Sequence, residues 1–253
     1  MGRAAYSDVA REEGVDIIGP SAIPIEEGAP VPREMTFDEI QQVISDFVYA
    51  SMKAMEAGFN GVEVHGANGY LLDQFLQDTS NQRQGEFGSS VKNRSRLLDC
   101  VIKAVANAIG PDRFGLRLSL WSVFQGMRMS GLIPQFTNII LKARKFNIAY
   151  LHLIEGRVTG ARDNDSHDTL DFAYDLWTGP VLVAGGYTLS EARRLLDEIH
   201  PDKKILVVFG RYFISNRDLA FRMREGLELT AYRRDTFYAV GSPVGYSDYA
   251  FSK

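Results

Sequence analysis

Between Met35 and Ala57 the apolar residues fall at Phe37, Ile40, Val43, Ile44, Phe47, Met52 and Met55, returning to one face every three or four positions. That spacing predicts a helix. Thr36 and Glu39 stand at capping-box separation before it, and Gly58 sits where a helix terminator belongs. Gly61-Val-Glu-Val-His65 then reads as a short strand. The alternation continues with helix Leu97–Ile109 and strand Arg113–Leu118, then helix Ile133–Lys145 and strand Ala149–Leu153. A weaker helix Leu170–Trp177 leads to strand Pro180–Ala184. Helix Leu189–Ile199 leads to strand Ile205–Phe209, and helix Asn216–Glu225 follows.

Helices alternating with short, unbroken apolar strands indicate parallel strands covered on both faces. No Gly-x-Gly-x-x-Gly fingerprint and no phosphate loop of the Walker type interrupts the pattern, which favours an α/β fold of the (β/α)8 TIM-barrel type over an open doubly wound sheet. Five strands are predicted where closure needs eight, so the barrel reads as incomplete. One domain, 1–253, is expected. Within it, 1–34 form a loop or hairpin excursion that includes Val15–Gly19, 35–226 carry the βα units, and 227–253 form a C-terminal tail.

The 253 residues, 45% hydrophobic and 24% charged, match the size of one whole barrel, so the unit count corrects what length alone suggests. No apolar run is long enough for a membrane helix, and 28 basic against 32 acidic side chains leave no electrostatic footprint for nucleic acid. Cys100 is the single cysteine, which excludes an internal disulfide and fits a reducing, cytoplasmic setting. The four histidines show no metal-ligand spacing, and no metal is expected.

Candidate chemistry gathers at strand ends, where parallel αβ folds keep their sites. His65-Gly-Ala-Asn68-Gly-Tyr70 places two neutral donors and a phenol just past a strand. His65 and Asn68 converging on a carbonyl oxygen would stabilise negative charge as it develops, and Tyr70 would supply a proton. A satisfied loop histidine beside a packing tyrosine is the plainer reading of the same residues. Arg117 interrupts the apolar run Phe114-Gly-Leu-Arg-Leu118. Burying it calls for an electron-rich ligand or a structural ion pair with Glu63 or Glu155. Gly185 and Gly186, then Gly210 and Arg211, end two successive strands and suit a phosphate cradle. His152, alone on its strand, reads as a core residue or one that supports a site residue from behind, and not as a catalyst.

Together these residues resemble the old yellow enzyme family of flavin-dependent ene-reductases. The likeness runs through Gly2-Arg-Ala-Ala5, Pro32-Arg-Glu-Met-Thr36, Gly61-Val-Glu-Val-His-Gly-Ala-Asn-Gly-Tyr-Leu-Leu-Asp-Gln-Phe75, Ser80-Asn-Gln-Arg83, Glu86-Phe-Gly88, Gly115-Leu-Arg-Leu-Ser119, Gly210-Arg-Tyr-Phe-Ile-Ser-Asn216 and Asp235-Thr-Phe-Tyr238. Ser21-Ala-Ile-Pro24 and Pro32-Arg-Glu resemble its fungal secondary-metabolism branch. The resemblance implies FMN in an eight-stranded barrel, hydride from NADPH, and reduction of activated C=C bonds. It implies that His65 and Asn68 hold the substrate carbonyl, that Tyr70 protonates the α-carbon, and that Arg117 lies against the pyrimidine side of the flavin. Gly185, Gly186, Gly210 and Arg211 would receive the phosphate, and Phe124 and Tyr238 would wall the pocket for a small-molecule enone.

The chain departs from the family pattern at Leu120 (usually proline), Ser89 (usually glycine), Gly156 (usually proline) and in Gly160-Ala-Arg-Asp163, where an aromatic is expected. The family also continues before Gly2-Arg3 with three further strands and flavin contacts, leaving strands 4–8 of the family barrel recognisable here. FMN binding is therefore the open element of this reading. The alternatives are a flavin-independent isomerase or cyclase using the His/Asn/Tyr pocket, and an inactive fragment that pairs its open edges with another chain as a homo-oligomer.

Overall fold

The computed structural model describes residues 10, 12–156, 158–159, 162–163, 168–239 and 241–252. Two short strands come first, β1 (Ile18–Gly19) and β2 (Arg33–Glu34). They pair in parallel, with Ile18 opposite Arg33, so this stretch is not the hairpin that its turn residues suggested. An antiparallel return would need only a tight turn, whereas here 13 residues separate the strands and swing the chain around. Arg83 pins the excursion by donating from Nη1 to the carbonyls of Pro20 (3.0 Å) and Met35 (2.9 Å).

The helix Phe37–Glu56 begins as its cap predicts: Thr36 Oγ1 accepts the Glu39 N–H at 3.2 Å, and Glu39 Oε2 accepts the Thr36 N–H at 2.7 Å. The chain then lays down β3 (Val62–Gly66), β4 (Phe114–Leu118) and β5 (Tyr150–Ile154), a two-residue antiparallel pair β6 (Val158–Thr159) and β7 (Arg162–Asp163), and finally β8 (Val181–Ala184) and β9 (Ile205–Val208). The five predicted strands form one parallel sheet in the order β3-β4-β5-β8-β9, consistent with part of an eightfold barrel. Helices Arg96–Ile109, Leu132–Phe146, Asp171–Leu176 and Leu189–Arg194 make the returns, each within a few residues of its predicted span. The last predicted helix is found as Leu219–Glu225, and a further short helix that was not predicted, Arg211–Ser215, precedes it.

Alternation along the strands decides what each face does. Val64, Leu116, Leu118, Leu151, Leu153, Val181 and Val183 point to the helices and are buried in the main apolar core with Leu97, Val101 and Ile139. The intervening positions are Glu63, His65, Arg117, Tyr150 and His152, which gives the opposite face a polar character over three strands. In a barrel that second face is the interior. Among the described residues no helix is long and apolar enough to cross a membrane. Gly2–Ala5, His167, Arg157 and most of the departing Gly160–Asp163 loop lie outside the described residues or their described side chains.

Candidate active site

His65, Arg117 and His152 occupy paired positions on β3, β4 and β5, so their side chains stand in one row on the polar face. One layer below, Glu63, Gly115 and Tyr150 form the same kind of row. Gly115 has to be glycine here: a Cβ on it would lie 2.2 Å from the ring of Tyr150, which crosses that space to hydrogen-bond Glu63. His152, 6% exposed, bonds Glu63 Oε2 through Nδ1 at 2.9 Å.

These contacts set the charges. Burial works to raise the Glu63 pKa, but the His152 hydrogen bond and the Arg117 charge hold the carboxyl below its ordinary value. Glu63 therefore stays an acceptor. Burial, then the Glu63 charge and hydrogen bond, push the Tyr150 phenol up to about 12. Burial and the Arg117 cation lower the His65 pKa against the opposing pull of Glu63, which favours a neutral imidazole able to donate one N–H.

The strand leading to His65 ends in a tight turn in which Asn68 (φ 58) and Gly69 (φ 69) both take the left-handed conformation. Buried groups hold it there. Ser119 Oγ accepts the Asn68 N–H at 2.7 Å, and Asp73 Oδ2 accepts the Gly69 N–H at 2.9 Å and the Ser119 hydroxyl at 3.3 Å. Gln74 donates to the Gly69 carbonyl at 2.7 Å and Gln125 to the Asn68 carbonyl at 3.0 Å. The turn sets Tyr70 at the start of helix Leu71–Leu76 with its ring centroid 5.3 Å from that of His65.

An open cleft of about 230 Å³ lies at the carboxyl ends of the strands. Asn68, Arg117, Gly185, Gly186, Gly210 and Arg211 all line it, joining residues from both ends of the sheet. Arg117 makes no salt bridge among the described residues: Glu63 is bonded to His152 and Glu155 to Tyr187, so the structural ion pair that the sequence also admitted is not formed. Its Nε is buried without a hydrogen-bond partner. Arg211 is held from one side by Nη1 donating to Tyr232 Oη at 3.3 Å. A Cβ built on Gly210 would meet nothing within 4 Å, so the cleft wall is open there. Two cations, an unsatisfied buried donor and exposed glycine backbone fit an anionic, electron-rich ligand such as FMN.

Phe124 stands beside the turn, its carbonyl 3.2 Å from where a Gly69 Cβ would lie. Tyr238 is 84% exposed and outside the cleft lining, so the structure does not bring it to the pocket as expected. The tail carrying it forms a short turn at Arg234–Thr236, bonded to its own neighbours. The sequence singles out Glu63 only as an ion-pair partner for Arg117, and gives no sign of Tyr150, Asp73 or Ser119. His152 is buried and bonded to Glu63 of the polar row, a place that fits a core or supporting residue. The signal available was a polar residue at every second position of three successive apolar strands.

A parallel βα sheet with a doubly cationic cleft at its carboxyl ends defines a flavin-type barrel oxidoreductase. The chain belongs to the NADH:flavin oxidoreductase / NADH oxidase family, whose sequence model matches residues 1–230. It is 45% identical over 262 residues to the NADP-dependent oxidoreductase lnbE of Aspergillus flavus, an alignment spanning 100% of this chain and 70% of that protein. It is 46% identical over 261 residues to the "Probable inactive reductase easA" of Epichloe festucae var. lolii, again over 100% of this chain and 69% of the relative. Among solved structures, Old Yellow Enzyme from Pichia sp. AKU4542 superposes with a TM-score of 0.88 at 34% identity, covering 99% of this chain and 67% of that one. The fold is that of the old yellow enzyme barrel, in its fungal secondary-metabolism branch. FMN and a nicotinamide nucleotide are the cofactors of this class.

Proposed function

We propose that residues 1–253 act as one barrel-type domain that reduces the activated C=C bond of an α,β-unsaturated carbonyl metabolite, with NADPH as the reductant, in the cytoplasm. The observation that carries this reading is the cleft itself: Asn68 and Arg117 from one side and Gly185, Gly186, Gly210 and Arg211 from the other line one space, next to the His65–Tyr70 ring pair. Family membership favours reduction over a flavin-independent isomerisation or cyclisation.

When bound, FMN supplies the passage of hydride from the nicotinamide to the substrate's β-carbon. Arg117 would hold its electron-rich ring, and Arg211 with the backbone of Gly185, Gly186 and Gly210 its phosphate. The chain's own groups do the rest. His65, kept neutral by burial and by Arg117, and Asn68 each donate a hydrogen bond to the carbonyl oxygen, stabilising the negative charge that grows there as the β-carbon gains hydride. Tyr70 then delivers its hydroxyl proton to the α-carbon, completing a two-electron, two-hydrogen reduction. Phe124 closes one side of the substrate space.

The purified chain should carry a flavin visible spectrum and oxidise NADPH in the presence of an enone. Tyr70→Phe should slow enone turnover by about 10²-fold or more while leaving flavin reduction by NADPH intact. Enone reduction at the parent rate in Tyr70→Phe would sink the proton assignment, and a colourless protein that binds no added FMN would sink the reading.

A further inference from the structure

Among the described residues, the polar face holds two buried atoms without partners, at neighbouring positions. One is Arg117 Nε and the other His152 Nε2, on residues paired across β4 and β5. Buried polar atoms left unsatisfied are rare and costly, so a matched pair of them calls for an account. Their chemistry is complementary. Arg117 Nε can only donate. Glu63, held ionised, can only accept, so the His152 nitrogen 2.9 Å from it carries the proton. With its one ring proton on Nδ1, His152 presents the Nε2 lone pair from the position paired with Arg117, whose Nε–H lacks an acceptor.

We propose that Glu63 and His152 are positioning residues for Arg117. The Glu63 carboxylate locks His152 in its Nδ1–H form, and the Nε2 lone pair receives the Arg117 Nε–H, directly or through one water. The arrangement resolves a conflict in the site. An arginine paired directly with Glu63 would be fixed in place, but its charge would be spent on the protein. An interposed neutral imidazole fixes the guanidinium at its Nε edge and leaves the Nη edge and the net charge to the cleft that Arg117 lines. Gly115 and Tyr150 complete the device from below. The glycine makes room for the phenol to reach Glu63, so the carboxylate accepts from both Tyr150 and His152 and cannot turn toward Arg117.

This inference rests on the proposed flavin site for its consequence but not for its geometry, and the two are tested separately. Nitrogen NMR of histidine-labelled protein reads the tautomer directly. His152 should show a protonated Nδ1 and an unprotonated Nε2, a pattern lost in Glu63→Leu. A protonated Nε2 with a bare Nδ1 in the parent overturns the lock whether or not FMN binds. FMN titration then reads the consequence. His152→Leu should weaken FMN binding about tenfold, whereas His152→Gln should stay near the parent, because a glutamine offers an N–H to Glu63 and a carbonyl to Arg117. In an Arg117→Met background the His152→Leu change should cost nothing further. Equal losses for His152→Leu with and without Arg117 would mean that His152 acts on stability alone, and the proposal would fail. A parent that binds no FMN defeats the function proposed above and leaves the NMR result to judge the lock.

Discussion

The Ser119 hydroxyl accepts the backbone N–H of Asn68 at 2.7 Å, joining residues 51 positions apart in the chain. The same oxygen donates to Asp73 at 3.3 Å, and Asp73 in turn holds Gly69. The left-handed turn, closed locally by the Tyr70 N–H on the Ala67 carbonyl at 3.3 Å, is thereby also anchored to the next strand and to a buried carboxylate. Ser119→Ala removes the acceptor and leaves a buried N–H unsatisfied. It should cost about 1–3 kcal/mol, read as a lower urea midpoint at unchanged slope, and should raise KM as Asn68 loses its fixed aim. A midpoint equal to the parent's would show that Asn68 is held by other means.

Ser89 offers the opposite sign. It stands where the family resemblance leads one to expect glycine, and its φ of 62 puts it in the left-handed region that glycine enters without strain. Its hydroxyl bonds the Gly88 carbonyl at 2.7 Å, which offsets part of that strain. Ser89→Gly should still stabilise the protein by about 0.5–1 kcal/mol, after allowing for the greater freedom of an unfolded glycine. Calorimetry should show a higher melting temperature, and a lower one would mean that the hydroxyl contact outweighs the backbone strain.

The βα repeat is legible in the sequence because most of the helices carry an apolar stripe and each strand of the repeat keeps apolar residues at least at every second position. Thr36 and Glu39 announced their helix, and Thr188 with Glu191 repeat that spacing and form a second capping box. The parallel pairing of β1 with β2 was not legible, since two-residue strands have no period to read. Among site residues, those adjacent in sequence were found together: His65, Asn68 and Tyr70, or Gly210 and Arg211. Glu63 is legible only as a partner for Arg117, because its actual partners, His152 and Tyr150, lie two strands away and only the sheet register brings them near. Tyr238 was carried over by motif alone, and its exposure shows that a motif match does not fix where a tail packs.

His65 supplies a pH prediction. Its pKa is lowered by burial first and by the Arg117 charge second, with Glu63 opposing. A histidine depressed in the folded state binds fewer protons there than when unfolded, so its contribution to stability is present above the unfolded value of about 6.5 and is lost as pH falls through the folded one. Arg117→Leu removes the second cause and keeps the first. The His65 titration, followed by NMR of its ring protons, should move up toward the ordinary value without reaching it, and the part of the acid loss of stability due to His65 should become smaller and be complete at a higher pH. A downward shift in Arg117→Leu would mean that Arg117 does not act on His65 by charge.

Gly185 and Gly210 line the same cleft, yet an added methyl group meets different surroundings at each. At Gly185 a Cβ would lie 2.4 Å from Glu155 Cβ, so β8 and the end of β5 would have to part. Gly185→Ala should cost about 1–3 kcal/mol of stability, as overpacking does. At Gly210 nothing lies within 4 Å, and its backbone at φ −96 suits alanine. Gly210→Ala should melt with the parent. If its backbone receives the cofactor phosphate, the methyl group projects into that space and FMN affinity should fall about tenfold, the size of one impaired charge-assisted contact. Thermal melts and FMN titrations of the two variants separate a residue that packs the barrel from one that leaves room for its ligand. Parent-like FMN binding by Gly210→Ala would move the phosphate away from this corner of the cleft.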